Sequence, residues 1–174
     1  MGSISGKIIN HDTSFFGEIY FNNEIEKITK DVKVGDNIII PGYVDLHCHG
    51  GNGSDTMDGS ESIKKMASYH LNKGTTTLLA TTWTNTLEYT YKALTGFNNL
   101  INNDSNLIGV HLEGPFINPN KLGAQPPLTQ KPSIAFIEEI MAIANIKVIT
   151  LAPEIEDMEN FIPYLIDNKI KVQF

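Results

Sequence analysis

The sequence predicts an α/β chain: a partial TIM-type (β/α) barrel of about four to five strands, preceded by part of a small β-domain. Three observations lead there. From residue 43 onward, β-branched runs alternate with segments of helical spacing, which implies parallel strands joined by right-handed crossovers. The residues with unusual chemistry fall at the C-terminal ends of those strands, where a (β/α) barrel assembles its site. Before residue 42 the chain shows only short strands and turns, with no helical period. The expected division is therefore 1–41, part of a small β-sandwich domain, and 42–174, the N-terminal half of a barrel. A complete barrel needs eight strands and typically ~250 residues, so these 174 are expected to be a truncated fragment. An open half-sheet has unpaired edges at its first and last strands. It is expected to aggregate, to pair with a second copy, or to need a complementary half.

Taken in order, residues 4–9, 15–21 and 24–28 carry β-branched and aromatic side chains and read as strands. Asn22-Asn23 is the expected hairpin turn between the last two. His11, within Asn10-His11-Asp12-Thr13, reads as a solvated turn residue. The apolar Ile38-Ile39-Ile40 leads into a strand over 43–47, and the glycine-rich 50–59 is a loop. Ser60 opens a helix with an acidic first turn. Ile63, Met66, Ala67 and His70-Leu71 follow at helical spacing until Lys73-Gly74 stops it. The β-branched 75–82 is the second strand; the threonines of 75–84 and Trp83 read as barrel packing. A helix over 87–101 follows, closed by Asn102-Asn103-Asp104, and then a strand over 107–111 with Glu113 just past its end. Proline, glycine and asparagine make 114–132 a long loop. A helix over 133–144, a strand over 147–151, a helix over 158–168 and a strand over 170–174 complete the chain. No glycine fingerprint for a dinucleotide follows the first strand of the alternating part, which argues against a Rossmann order.

Composition excludes several classes of partner. A net charge of −7 offers no electrostatic footprint for nucleic acid. No apolar stretch is long enough to span a membrane, and the N-terminus lacks the layout of a signal peptide. Cys48, the one cysteine, cannot form an internal disulfide, which suits a reducing compartment; the expected location is cytoplasmic. All 13 basic residues are lysine, so the bidentate arginine that commonly grips a phosphate is absent.

The chemistry centres on Pro41-Gly42-Tyr43-Val44-Asp45-Leu46-His47-Cys48-His49-Gly50-Gly51. In a strand, side chains alternate between faces, so His47 and His49 project together, with Asp45, while Leu46 and Cys48 face the other way. Two imidazoles on one face beside a glycine-rich opening suit a divalent metal, whereas a His-x-His alone is as often a pair of ordinary histidines. His111-Leu112-Glu113-Gly114-Pro115-Phe116 tips the balance. A glutamate at the mouth of the barrel completes a mixed nitrogen and oxygen ligand set of His47, His49 and Glu113. Three protein ligands and an open position can bring a water to pKa ~7. The set suits Zn²⁺ and also admits Fe²⁺ or another divalent ion.

These residues resemble the amidohydrolase superfamily, whose first-strand signature residues 41–50 match. Three further segments resemble the N-acetylglucosamine-6-phosphate deacetylases within it. They are Gly109-Val110-His111-Leu112-Glu113-Gly114-Pro115-Phe116, Lys121-Leu122-Gly123-Ala124-Gln125-Pro126, and Val148-Ile149-Thr150-Leu151-Ala152-Pro153-Glu154. Their order and spacing match over nearly the whole chain. The resemblance implies a metal-dependent hydrolase that removes the acetyl group of N-acetylglucosamine 6-phosphate, giving glucosamine 6-phosphate and acetate. It implies that His47, His49 and Glu113 hold the metal, expected to be Zn²⁺, and that Ala124 and Gln125 touch the sugar. It implies that the catalytic aspartate, the remaining metal histidines and the phosphate-binding arginine lie beyond Phe174. The 174 residues alone would then have no catalytic residue and no turnover, and the intact protein is expected to be a homo-oligomer acting on a small amino sugar phosphate. His111, shared with the family, is read as structural, and Glu154 matches without an assignable role. The alternatives are a non-catalytic remnant or another amidohydrolase, such as a hydantoinase-like cyclic amidase.

Overall fold

The computed structural model describes residues 1–31, 35–100 and 106–174. It divides into two compact units, Met1–Gly42 and Tyr43–Phe174.

The first unit is a four-stranded sheet in the order β3-β2-β1-β4. Strands β1 (Gly2–Ile9), β2 (Ser14–Phe21) and β3 (Ile25–Lys30) form an antiparallel meander. Its alternation buries Ile8 and Ile19 on one face, as period-two patterning requires. Strand β4 (Ile38–Ile39) lies parallel to β1, so the apolar run at Ile38 is itself a short strand.

The second unit carries a five-stranded parallel sheet in the order β11-β10-β9-β8-β5, each strand beside the next one along the chain. Its strands are β5 (Tyr43–Cys48), β8 (Thr75–Thr82), β9 (Leu107–Glu113), β10 (Ile146–Thr150) and β11 (Lys171–Gln173). Helices α1 (Ser60–Leu71), α2 (Leu87–Asn98), α3 (Ile134–Ile143) and α4 (Met158–Asp167) fill the four crossovers. This is the expected class, a curled half-barrel sheet with a small β unit before it. Sequential order with a helix in each crossover is what lets every helix bury its apolar stripe on the same side of the sheet.

The core shows that packing directly. Leu78, Ala80, Val110, Leu112 and Ile149 from the sheet meet Ile63, Met66, Leu94, Phe97, Ile137, Ile140, Phe161 and Leu165 from the helices. Each fully buried aliphatic side chain stabilises by about 1.5–3 kcal/mol relative to exposure. Helix starts are marked locally: the Thr86 hydroxyl accepts from Tyr89 N–H and the Ser133 hydroxyl from Phe136 N–H. Such caps contribute about 1 kcal/mol each. The curl of the sheet is visible in one bond. His111 Nδ1–H on β9 donates to the Leu46 carbonyl on β5 at 2.8 Å, although β8 lies between those strands.

Some boundaries differ from expectation. Glu113 is the last residue of β9 and pairs with Thr150, rather than lying beyond the strand, because β10 continues the ladder that far. The 50–59 loop contains a small hairpin, β6 (Gly50–Gly51) with β7 (Ser54–Asp55), and a helical turn at Thr56–Asp58. The Asn102-Asn103-Asp104 stop lies outside the described residues. Among the described residues, no helix is long and apolar enough to cross a membrane.

Candidate metal centre

The C-terminal ends of β5, β8 and β9 face one another, and the candidate ligands stand there. His47 lies within β5, His49 follows its end, and Glu113 closes β9. Their ligand atoms all lie within 4.8 Å of one another. His49 Nε2 is 3.0 Å from Glu113 Oε2, His47 Nε2 is 3.7 Å from Glu113 Oε1, and the two Nε2 atoms are 3.0 Å apart. The three side chains are partly exposed, with relative accessibilities of 39% for His47, 35% for His49 and 19% for Glu113. The site is therefore open to a solute while its carboxylate is largely sheltered.

Each ligand is aimed by a neighbour. His49 Nδ1–H donates to the Thr81 carbonyl of β8 at 3.2 Å, which turns Nε2 towards Glu113. A metal-ligating histidine is oriented in this way, with its other ring nitrogen tied to a carbonyl or carboxylate. The backbone N–H of His47 donates to Asp45 Oδ1 at 3.1 Å, holding the strand end in place. Gln125 reaches from the long loop and is engaged at both ends of its amide. Its Nε2 donates to Glu113 Oε2 at 2.7 Å, while its Oε1 accepts from Thr84 N–H at 2.8 Å. The two bonds together fix which end of the amide faces the carboxylate.

The turn after Glu113 depends on glycine. Gly114 has φ +74°, and a Cβ there would fall on the Thr84 hydroxyl. Two buried hydroxyls in this region, Thr82 Oγ1 and Thr84 Oγ1, have no hydrogen-bond partner among the described residues.

The electrostatics follow from these contacts. The hydrogen bond from His49 holds the Glu113 carboxyl below the ordinary carboxylate range, against an opposing push from burial. The same bond raises the His49 imidazole. Burial, the dominant cause, lowers His111 and keeps it neutral. His111 is fully buried. It gives its Nδ1 proton to Leu46 and meets Thr150 Oγ1 at 2.7 Å through Nε2, which must therefore accept from the hydroxyl. It acts as a strut between β5, β9 and β10, and its ring centroid lies 4.7 Å from that of His47.

Of the residues singled out in the sequence, His47, His49, Glu113 and Gln125 converge. Ala124 lies exposed beside Gln125 in the loop. Asp45 does not join the histidines. Its carboxylate groups with Cys48 and His70 instead, because β5 slips in register against β8 between Asp45 and Cys48. Glu154 is remote in role: it accepts from Asn118 Nδ2 at 2.8 Å and pairs with Lys121 at 3.4 Å, pinning the long loop. Trp83 is 38% exposed with its ring 6.0 Å from that of His49, so it lines the site's surroundings rather than the core. Thr81 and Thr84 are the supports that sequence alone missed. Their contributions come largely from the backbone, and a β-branched run looks the same whether it packs or positions.

The amidohydrolase family profile matches residues 38–158. The chain is similar to N-acetylglucosamine-6-phosphate deacetylase of Bacillus subtilis (strain 168), at 36% identity over 158 residues, covering 83% of this chain and 39% of that protein. It is also similar to N-acetylgalactosamine-6-phosphate deacetylase of Escherichia coli O157:H7, at 31% identity over 156 residues, covering 85% of this chain and 41% of that protein. The crystal structure of N-acetylglucosamine-6-phosphate deacetylase from Thermotoga maritima superposes with a TM-score of 0.85 at 31% identity, covering 99% of this chain and 48% of that one. The chain thus spans roughly two fifths of the length of these curated relatives.

Proposed function

The chain belongs to the amidohydrolase family, and from that premise we propose that it forms the N-terminal part of a metal-dependent deacetylase. The reaction would cleave the amide of N-acetylglucosamine 6-phosphate with water, giving glucosamine 6-phosphate and acetate. The convergence of His47, His49 and Glu113 carries this reading.

The donor set fits a divalent cation. Two imidazole nitrogens and a carboxylate point at one small region. Imidazole with carboxylate favours Zn²⁺ and accommodates Fe²⁺. A cation held there would act as a Lewis acid towards the amide carbonyl and make water a stronger nucleophile. His49 presents Nε2 because Thr81 holds its Nδ1–H. Glu113 is held in its orientation by Gln125, whose own placement is set by Thr84 N–H. In this reading the loop bearing Ala124 and Gln125 lies against the sugar, so Gln125 couples substrate position to ligand position.

The group that removes the proton from water and then protonates the leaving amine is assigned outside these 174 residues. Glu113 is the one carboxylate in the cluster, and its oxygens face His47, His49 and Gln125. The 174-residue chain alone is therefore proposed to be inactive. The same reading takes the intact protein to be a cytoplasmic homo-oligomer that acts on a small amino sugar phosphate. Similarity to the galactosamine-directed relative favours one second reading, the C4 epimer of the sugar as substrate.

The test is a substrate panel. The chain is joined to the C-terminal part of the Bacillus subtilis relative, and acetate release is followed from N-acetylglucosamine 6-phosphate and N-acetylgalactosamine 6-phosphate, with ring opening of a cyclic amide as a control. Preference for the gluco sugar supports the proposal, preference for the galacto sugar moves it to the second reading, and hydrolysis of the cyclic amide alone would overturn both.

A further inference from the structure

We infer that Asp45, Cys48 and His70 form a second cation site, for a borderline divalent ion such as Zn²⁺, on the helix side of β5. The ligand atoms of these three residues lie within 4.8 Å of one another. Cys48 alternates away from His47 and His49 and packs in the same core cluster as Ile63, Met66 and Ala67 of α1. His70 comes from the last turn of that helix. The site is thus separate from the candidate deacetylase centre, although the two share one strand.

Three short contacts meet at the Gly50 carbonyl and the Cys48 sulfur. Cys48 Sγ lies 3.3 Å from Gly50 O, His70 Nε2 lies 3.0 Å from Gly50 O, and Sγ and Nε2 are 3.3 Å apart. A thiol and a neutral imidazole that directs Nε2–H at the carbonyl supply two protons for those three contacts. No placement of those protons satisfies all three contacts: with both on the carbonyl, sulfur faces nitrogen unbridged, and with the thiol donating to Nε2, a nitrogen lone pair faces the carbonyl oxygen. A cation satisfies all of them at once. Sulfur, imidazole nitrogen and the Asp45 carboxylate are three donors of the kinds that zinc accepts, and the Gly50 carbonyl stands beside them at the fourth position. The local sequence keeps room for this arrangement. A Cβ on Gly51 would lie 2.6 Å from His70 Nε2, so glycine there lets the imidazole rest against the backbone.

Binding expels the thiol proton to solvent, because the thiolate is the ligand, and the His70 imidazole stays neutral with its one proton on Nδ1, which frees Nε2 to bind. The bound ion would tie the end of α1 to the strand that carries His47 and His49, and would stabilise the fold in proportion to its occupancy.

Cobalt titration of the 174-residue chain tests this, because Cys48 is the one cysteine and any thiolate-to-Co²⁺ charge-transfer band has a single source. The expected band appears in the near ultraviolet and persists in Glu113→Gln. It is lost in Cys48→Ser. In His70→Ala it needs more cobalt, by more than the ~10–100-fold that loss of an outer partner costs. Cobalt binding with no such band overturns the inference. So does a band that ignores His70→Ala and disappears with Glu113→Gln, which would put Cys48 in the other centre. If Cys48→Ser does not fold, alkylation of the unmodified chain decides: Zn²⁺ should slow reaction at Cys48 and a chelator should restore it, and an unchanged rate overturns the site. Because Glu113→Gln disables only the deacetylase centre, failure of one site is distinguishable from failure of the other.

Discussion

His49 and Glu113 meet at 3.0 Å from the ends of two strands that are not neighbours, with β8 between them. Curvature of the sheet closes that gap, and the strand in the middle contributes the Thr81 carbonyl that aims His49. The site is therefore a property of three strands together.

The pair predicts how cation binding depends on pH. In the cation-free chain the bond to Glu113 raises the His49 pKa, so the imidazole keeps its proton to a higher pH than a free histidine. The same bond lowers Glu113, which stays ionised throughout the range where His49 titrates. A cation replaces the His49 proton, so binding is coupled to proton release below the raised His49 pKa and uncoupled above it. Apparent affinity should rise with pH and then level off. Calorimetric titrations with Zn²⁺ at a series of pH values from about 6 upward, in buffers of different ionisation heat, should show proton release that falls as pH rises. Cys48→Ser as background removes any thiol contribution.

Glu113→Gln should abolish high-affinity binding at the His47 and His49 centre. The substitution keeps the shape and one oxygen but removes the negative charge that the two imidazoles face. Thermal unfolding without added metal should shift modestly downward, because the His49 imidazole loses the carboxylate that it faces. A cation affinity within a few-fold of the unmodified chain would show that Glu113 is not a ligand.

Gln125→Ala tests the support beneath Glu113. It removes the 2.7 Å bond to Oε2 and leaves Thr84 N–H without its acceptor. Cation affinity at this centre should fall by about 10–100-fold, the range for loss of a partner that orients a ligand. Gln125→Glu should be worse than alanine, since it sets a second carboxylate against the first.

His111 is predicted to matter for stability. His111→Ala would remove a fully buried side chain, leave the Leu46 carbonyl and the Thr150 hydroxyl without their part-buried bonds, and open a cavity beside His47. The expected loss is about 2–4 kcal/mol, readable as a lower urea midpoint. Because burial lowers the His111 pKa, its two bonds should persist below the pH at which an ordinary histidine gains its proton.

Much of this was legible in the sequence for identifiable reasons. The alternation of 43–174 sets the sheet order, because sequential crossovers leave few other arrangements. His47 and His49 are two residues apart, and the strand period alone puts them on one face. Asp45 breaks that inference. It should lie with them, and the register slip against β8 sends it to Cys48 and His70 instead. The meeting of His70 with Cys48 depends on how α1 packs, which no local pattern encodes. Strand β4, two residues long, was hidden for the same reason: its partner β1 is some thirty residues earlier. Gln125 sits in a loop without periodicity, so its contact with Glu113 became visible only in three dimensions.

The most direct measurement of the central claim is acetate release from N-acetylglucosamine 6-phosphate by the chain completed with the C-terminal part of its Bacillus subtilis relative, compared with its Glu113→Gln form and with the 174 residues alone. The account predicts turnover by the completed protein, loss of that turnover with Glu113→Gln, and none from the 174 residues by themselves. Turnover that survives Glu113→Gln unchanged, or that the short chain performs unaided, would contradict it.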